Sequence, residues 1–193
     1  TALAGALSAC AKFGMDAQDV GVQLDAVLKA TGKSADNSAA SIWKFGSDMS
    51  RLTKFDEEQI VSAQSLMLTF DNMSGAVIPR ATAAAMDLAT TFKMDLTAAA
   101  KLVGRALSGT ADGVTELSRM GIKFTEAENG MIMAMTAAND VAGAQSYVLD
   151  ILEKRMGGTA LAAGTTASGA ITILKNSMSE AAEAVGMGLL PML

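Results

Sequence analysis

Phe55-Asp56-Glu57-Glu58-Gln59-Ile60-Val61-Ser62-Ala63-Gln64-Ser65-Leu66-Met67-Leu68-Thr69-Phe70 decides the fold class. Asp56 stands where a side chain can cap the first free amides of a helix, and Gln59 stands where it can reach back. Glu57 and Glu58 place negative charge at the positive end of the helix dipole. Phe55 before the cap and Ile60 four residues after it form a hydrophobic staple. Ile60, Ala63, Met67 and Phe70 then recur at helical spacing and mark the buried stripe. The stretch predicts a capped amphipathic helix from Asp56 to about Phe70.

The same signals repeat outward in both directions. Met94-Asp95 opens a helix through Leu96, Ala99, Leu102, Val103 and Leu107, ended by Ser108-Gly109. Pro79 stands at a first helical position, and Thr125-Glu126-Ala127-Glu128 is a capping box before a Met-rich helix to about Ala138. A short helix is expected near Val114 to Met120, a longer one from Val141 to Met156, and a last one from about Ser168 to Val185. Upstream, Ser38 to Lys54 puts Ile42, Phe45, Met49 and Leu52 on one face. An Ala-rich helix from Ala2 to Lys12 is expected to stop at Gly14. Met15-Asp16 would then open another, carrying Val20, Leu24, Val27 and Leu28 and closed by Gly32. Alternating β-branched and aromatic runs are absent, so no strand is expected. The prediction is an all-α bundle of about seven to nine helices without a sheet.

Composition narrows the function classes. The 193 residues carry net charge −5, one cysteine and no histidine, with 37 alanines, 18 glycines and 14 methionines. Histidine is the commonest general base and metal ligand, so its absence removes most nucleophile–base pairs and most zinc or copper sites. Cys10 alone excludes an internal disulfide, and it reads as a buried small hydrophobe. Fifteen basic against twenty acidic residues supply no electrostatic reason to bind nucleic acid. Both ends, Thr1 and the apolar Gly188-Leu189-Leu190-Pro191-Met192-Leu193, read as edges of a longer polypeptide. Met156 to Leu174 is uncharged but rich in Gly and Thr, which suits a linker and helix start better than a membrane span.

Each candidate chemical feature has a plainer structural reading. Gly32-Lys33-Ser34 resembles the end of a phosphate-binding loop, but Val27 stands where that motif needs glycine and the preceding segment is helical. A helix end followed by a turn is expected instead. Asp56-Glu57-Glu58 and Glu126/Glu128 could pair carboxylates for glycoside hydrolysis, yet both lie in first helical turns, where acids belong on electrostatic grounds. In Met131-Ile132-Met133-Ala134-Met135 the methionines do not share one face, so core filling is expected over copper binding. Asn72-Met73-Ser74 fits the glycosylation pattern but carries no meaning without a secretory route. No catalytic, cofactor-binding or metal-ligating residue is assigned, and no cofactor is expected.

From Lys54 onward the order of segments resembles the phage tail length tape-measure family. Phe55 to Ile60 followed by Leu66-Met67-Leu68-Thr69-Phe70 is similar to its acid-capped opening. Ala85-Met86-Asp87-Leu88-Ala89 and Ala100-Lys101-Leu102-Val103-Gly104-Arg105-Ala106-Leu107 continue the likeness, with Arg105 where lysine is common. Gly113-Val114, Leu117 to Thr125, Ala144-Gln145, Val148-Leu149 and Gly157-Gly158-Thr159-Ala160 extend it to about residue 160. Departures are the missing Asp-Pro after the Ala106-Leu107 segment and Met156 in place of an aromatic. The resulting division is an N-terminal helical segment (1–53), a tape-measure-like domain (54–160), and a linker with a C-terminal helix (161–193).

The resemblance implies a structural and assembly role in a siphophage virion. Such a protein lies in the tail lumen or tip, helps set tail length and leaves ahead of DNA at ejection. It implies self-association, three-fold or six-fold, with tail tube, distal tail and hub proteins and assembly chaperones as partners. It carries over no catalytic residue, so the chain is expected not to be an enzyme. Even one continuous helix of this length would span only about 290 Å, so a folded module is expected, not the ruler rod. Two alternatives stand beside it: a membrane-active helical module aiding DNA passage across the host inner membrane, and a cell-wall hydrolase.

Overall fold

A computed structural model describes residues 2–33, 38–70, 72–108 and 111–189, with backbone alone for 2–9, 11, 111, 112 and 189. The described residues form an all-α fold, without a strand. Nine helices of nine residues or more, α1 to α8 and α10, are joined by one short helix, α9. They are α1 (Ala2–Thr31), α2 (Ala39–Ser50), α3 (Glu57–Leu68), α4 (Ile78–Phe92) and α5 (Leu96–Leu107), then α6 (Ala111–Arg119), α7 (Glu126–Ala137), α8 (Val141–Met156), α9 (Thr159–Gly164) and α10 (Ala167–Leu189).

The capping chemistry behaves as its residues require. Asp56 accepts the Gln59 amide at 2.8 Å and Asp95 accepts the Ala98 amide at 3.0 Å. Thr125 and Glu128 complete both halves of a capping box, and Ser38 with Ser41 forms a second one at the start of α2. Gly32, with φ +66°, follows the last turn of α1, as a helix end demands.

The core lies among α3, α4 and α5, which pack on one another. Ile60, Val61, Ala63, Met67 and Leu68 of α3 are fully buried, as are Ile78, Ala81, Ala85 and Leu88 of α4 and Ala99, Ala100 and Val103 of α5. Leu24 and Leu28 of α1, Ile42 of α2 and Ala160 of α9 join this same core. Alanine at so many facing positions leaves little side chain between helices, so their backbones approach closely. α8 lies on α4 and carries α7, α6 folds back on α5, and α10 runs along α1.

Four expectations are corrected. Gly14 does not end a helix: α1 continues through it, and Asp16 caps nothing, because Gly14 is where α10 crosses. A β-carbon at Gly14 would stand 2.9 Å from the Met187 amide nitrogen. The methionines of α7 do not fill the core. α7 packs mainly on α8 and buries no residue, so Met131 and Met133 stand exposed and Met135 half-buried. The stretch read as a linker after Met156 folds as α9 and the first turns of α10. Cys10 is half-buried, not buried. Ser34, Gly109 and Leu190 to Leu193 lie outside the described residues.

Two glycines test the packing with opposite signs. At Gly113 a β-carbon would collide with the backbone of Arg105 and Ala106, which cannot rotate away. Gly113→Ala is expected to lower stability by about 1–3 kcal/mol in urea unfolding. Gly130, exposed on α7, has open space around the same position. Gly130→Ala is expected to raise stability by about 0.5–1 kcal/mol through the lower backbone entropy of the unfolded chain.

Candidate functional site

Polar side chains that reach across the fold mark the places where chemistry could occur. Most of them close helix ends. Lys33 donates to the carbonyls of Leu68 at 2.9 Å and Phe70 at 2.5 Å, setting its ammonium on the negative end of α3. The residue that suggested a phosphate loop is thus engaged by backbone oxygens. Gln145, buried on α8, donates to Leu107 O at 2.9 Å and Asn72 O at 2.7 Å, clipping the α5 end to the turn before α4.

Asp87 makes the most connected of these closures. It sits on α4 at 7% exposure and accepts the Gly158 amide at 3.0 Å and the Ala160 amide at 2.8 Å. The Thr159 hydroxyl donates to Asp87 O at 3.1 Å. Gly158, with φ +81°, turns the chain so that these amides point at the carboxylate. A side chain 71 residues upstream therefore caps α9. Sequence inspection could not find this cap, because local cap rules look only three residues ahead.

On the outer layer, Arg80 of α4 binds Glu153 at 2.5 Å and also Asp150 and Ser146, all on α8. Arg155 of α8 binds Glu128 at 2.6 Å and lies 5.4 Å from the Phe124 ring centroid. The Thr125 amide, with help from Arg155, holds the Glu128 carboxyl below its ordinary range. Glu128 is therefore a charged cap, and Glu126 stands exposed beside it. Glu128 is not an acid held neutral for proton donation.

The other acidic group differs. Asp56, Glu57 and Glu58 at the start of α3 meet Glu180 and Glu183 of α10. Burial, reinforced by Glu180 and Glu58, pushes Glu57 up to about 7. Burial and a hydrogen bond with Glu58 push Glu183 up to about 8. Ser50 donates to Glu180 at 2.9 Å. A cleft of about 240 Å³ beside them is lined by Phe13, Asp16, Asp56, Glu58, Asn176, Ser179 and Glu180. Glu180 and Glu183 gave no signal in sequence because they lie more than 120 residues from the α3 cap. Among the described residues, no group of three or more acidic or cysteine side chains is arranged to hold a metal ion.

The surface of α10 is the remaining feature. Ile171, Leu174, Met178 and Val185 are exposed, with Ile171 at 68% and Met178 at 67%. Their spacing of three, four and seven residues is that of a coiled-coil seam, with Ala181 and Gly188 completing it. Phe13, Ile171, Leu174, Lys175, Met178, Ser179 and Ala182 bound an almost wholly apolar groove of about 440 Å³. Only Gly169 and Gly186 of α10 are buried among its described residues. The helix thus turns its small and polar stripe inward and its apolar stripe outward.

Replacing Asp87 by Ala leaves the Ala160 amide buried without an acceptor and takes the partner from the Gly158 amide. Urea unfolding is expected to show a loss of about 2–4 kcal/mol, with Asp87→Asn losing less. Comparisons with family models, with curated proteins and with solved structures give no match for this chain.

Proposed function

We propose that this chain is a structural and assembly module of a bacteriophage tail, of the tape-measure type, and not an enzyme. The observation that carries the assembly reading is the exposed seam of α10. An apolar stripe of this length, facing water beside a polar stripe facing the protein, is the pattern of a surface built for another helix. The positions flanking the seam, Ala170, Lys175, Ser177, Ala182 and Ala184, include one charge. A second copy of the same helix would meet it with little like-charge repulsion and with small residues that permit close approach.

The tail assignment rests on the resemblance. Segments that carry the resemblance are those that tie the helices together. Asp87 joins Gly158-Thr159-Ala160, Arg105 pairs with Glu116 at 2.8 Å, and Gln145 clips Leu107. The role this suggests is a folded module at a tail end, since the longest helix, α1, has 30 residues and spans about 45 Å. Partners in this reading are further copies, tail tube, distal tail and hub proteins and assembly chaperones, in the virion and during its assembly.

The membrane reading draws on the same exposed face. Among the described residues no helix is long and apolar enough to cross a membrane. α10 carries a single cation, Lys175, so it offers anionic lipid no basic face. Assembly is therefore the better-supported use of the face. In-frame deletion of the module from the phage that encodes it, with tails counted and measured by electron microscopy, tests the proposal. Few tails, or tails of altered length, are expected. Normal tails in normal number would contradict an assembly role.

A further inference from the structure

α10 is held to the body by packing along α1, where Gly14 lets the Gly186-Met187 backbone pass closely. Glu180 and Glu183 lie half-buried on the side of α10 turned to the body. The opposite side is exposed and carries the seam of Ile171, Leu174, Met178, Ala181, Val185 and Gly188. Residue size along this seam is uneven. Its first half holds three large side chains, Ile171, Leu174 and Met178, and its second half holds Ala181, Val185 and Gly188. The first half also borders the apolar groove of about 440 Å³ that α10 shares with Phe13 of α1.

The size gradient decides between occupants. Helix axes pack about 8–10 Å apart, at a spacing set by the side chains between them. Two copies of α10 laid parallel would place Ile171 on Ile171, Met178 on Met178 and Gly188 on Gly188. Large layers would then hold the helices apart at one end, and small layers at the other end would leave a void. Laid antiparallel, the same seam places Ile171 opposite Gly188, Leu174 opposite Val185 and Met178 opposite Ala181. Each layer then holds one larger and one smaller residue, so a single spacing serves the whole seam. This register also sets the positive end of each α10 beside the negative end of the other. Glu180 and Glu183 stay on the body side of each copy, and the two copies of Lys175 fall at different levels of the pair.

We propose that the seam of α10 takes the α10 of a second copy, antiparallel, about a two-fold axis passing between Met178 and Ala181. Every contact then occurs twice, as in any isologous dimer. The two α1–α10 pairs form a four-helix assembly with the two copies of α10 at its centre. The pairing rests on the seam being a surface for another helix, and it is independent of the tail. A closed isologous pair differs from the three-fold or six-fold rings implied by the resemblance, which need head-to-tail contacts.

Spin labels on the full chain read the orientation, one site at a time in a Cys10→Ser background. Ala170→Cys and Ala184→Cys place the label at exposed positions that flank the seam without entering it. From the rise per residue and the interaxial spacing, the antiparallel register separates the two copies of position 170 by about 30 Å. It separates the two copies of position 184 by about 16 Å. A parallel pair would give about 10 Å at both sites. Electron spin resonance distances, recorded where sedimentation shows the dimer, are expected to be long at 170 and short at 184. Helix content equal to that of the unlabelled chain shows that each labelled chain is folded. A dimer with any other pattern, equal short distances included, would overturn the antiparallel pairing and leave the tail role untouched. A chain monomeric at every accessible concentration, with no coupling between copies, would overturn the pairing and the self-docking seam together. The tail role stands or falls separately, on the deletion described above.

Discussion

Close approach of helix backbones is the constraint on which the rest of the structure depends. α4 presents Ala81, Ala84, Ala85 and Ala89 to its neighbours, so α5, α8 and α9 all pack against it. The same economy recurs where Gly104 receives the edge of the Phe70 ring and where Gly113 meets the Arg105 backbone. Packing of this kind needs few aromatic residues, which agrees with a chain holding eight of them. It also sets helix ends deep in the protein, where their free amides and carbonyls require partners. Asp87, Gln145 and Lys33 supply those partners from distant parts of the chain. The polar network inside this protein is thus a consequence of its alanine content.

α10 departs from the scheme. The other long helices with described cores turn their apolar stripe inward, whereas α10 packs along α1 and turns most of its apolar stripe to solvent. Burial of its seam would release several exposed side chains from water, each worth roughly 1.5–3 kcal/mol on full burial. The arrangement therefore stores a driving force for association in one helix while the core of α3, α4 and α5 remains intact. That division suits an assembly component, which needs a stable body and an adhesive edge.

Local chemistry was legible in the sequence, and long-range chemistry was not. Asp56, Asp95 and the Thr125/Glu128 box announced their helices because a cap and its amides lie within three residues. Gly14 misled, since a glycine that ends a helix and one that admits a crossing helix look alike without the partner, here Gly186 of α10. α9 escaped notice because its cap, Asp87, belongs to another helix. The Met131 to Met135 run suggested core filling because its residue type suits a core, but α7 lies outermost. Glu57 and Glu58 read as ordinary first-turn acids. Only the fold brings Glu180 and Glu183 near them and, with burial, raises Glu57. The seam of α10 was written in its heptad spacing, yet only the structure tells that the stripe faces water.

The central claim is that α10 offers its outward stripe to a second copy of the chain. Sedimentation equilibrium of the chain, beside a variant with Ile171→Ser and Met178→Ser, tests it most directly. The account predicts concentration-dependent association of the unmodified chain and a monomeric variant with unchanged helix content. A chain that stays monomeric across the accessible concentrations, or a variant that associates as tightly as the unmodified chain, would contradict it.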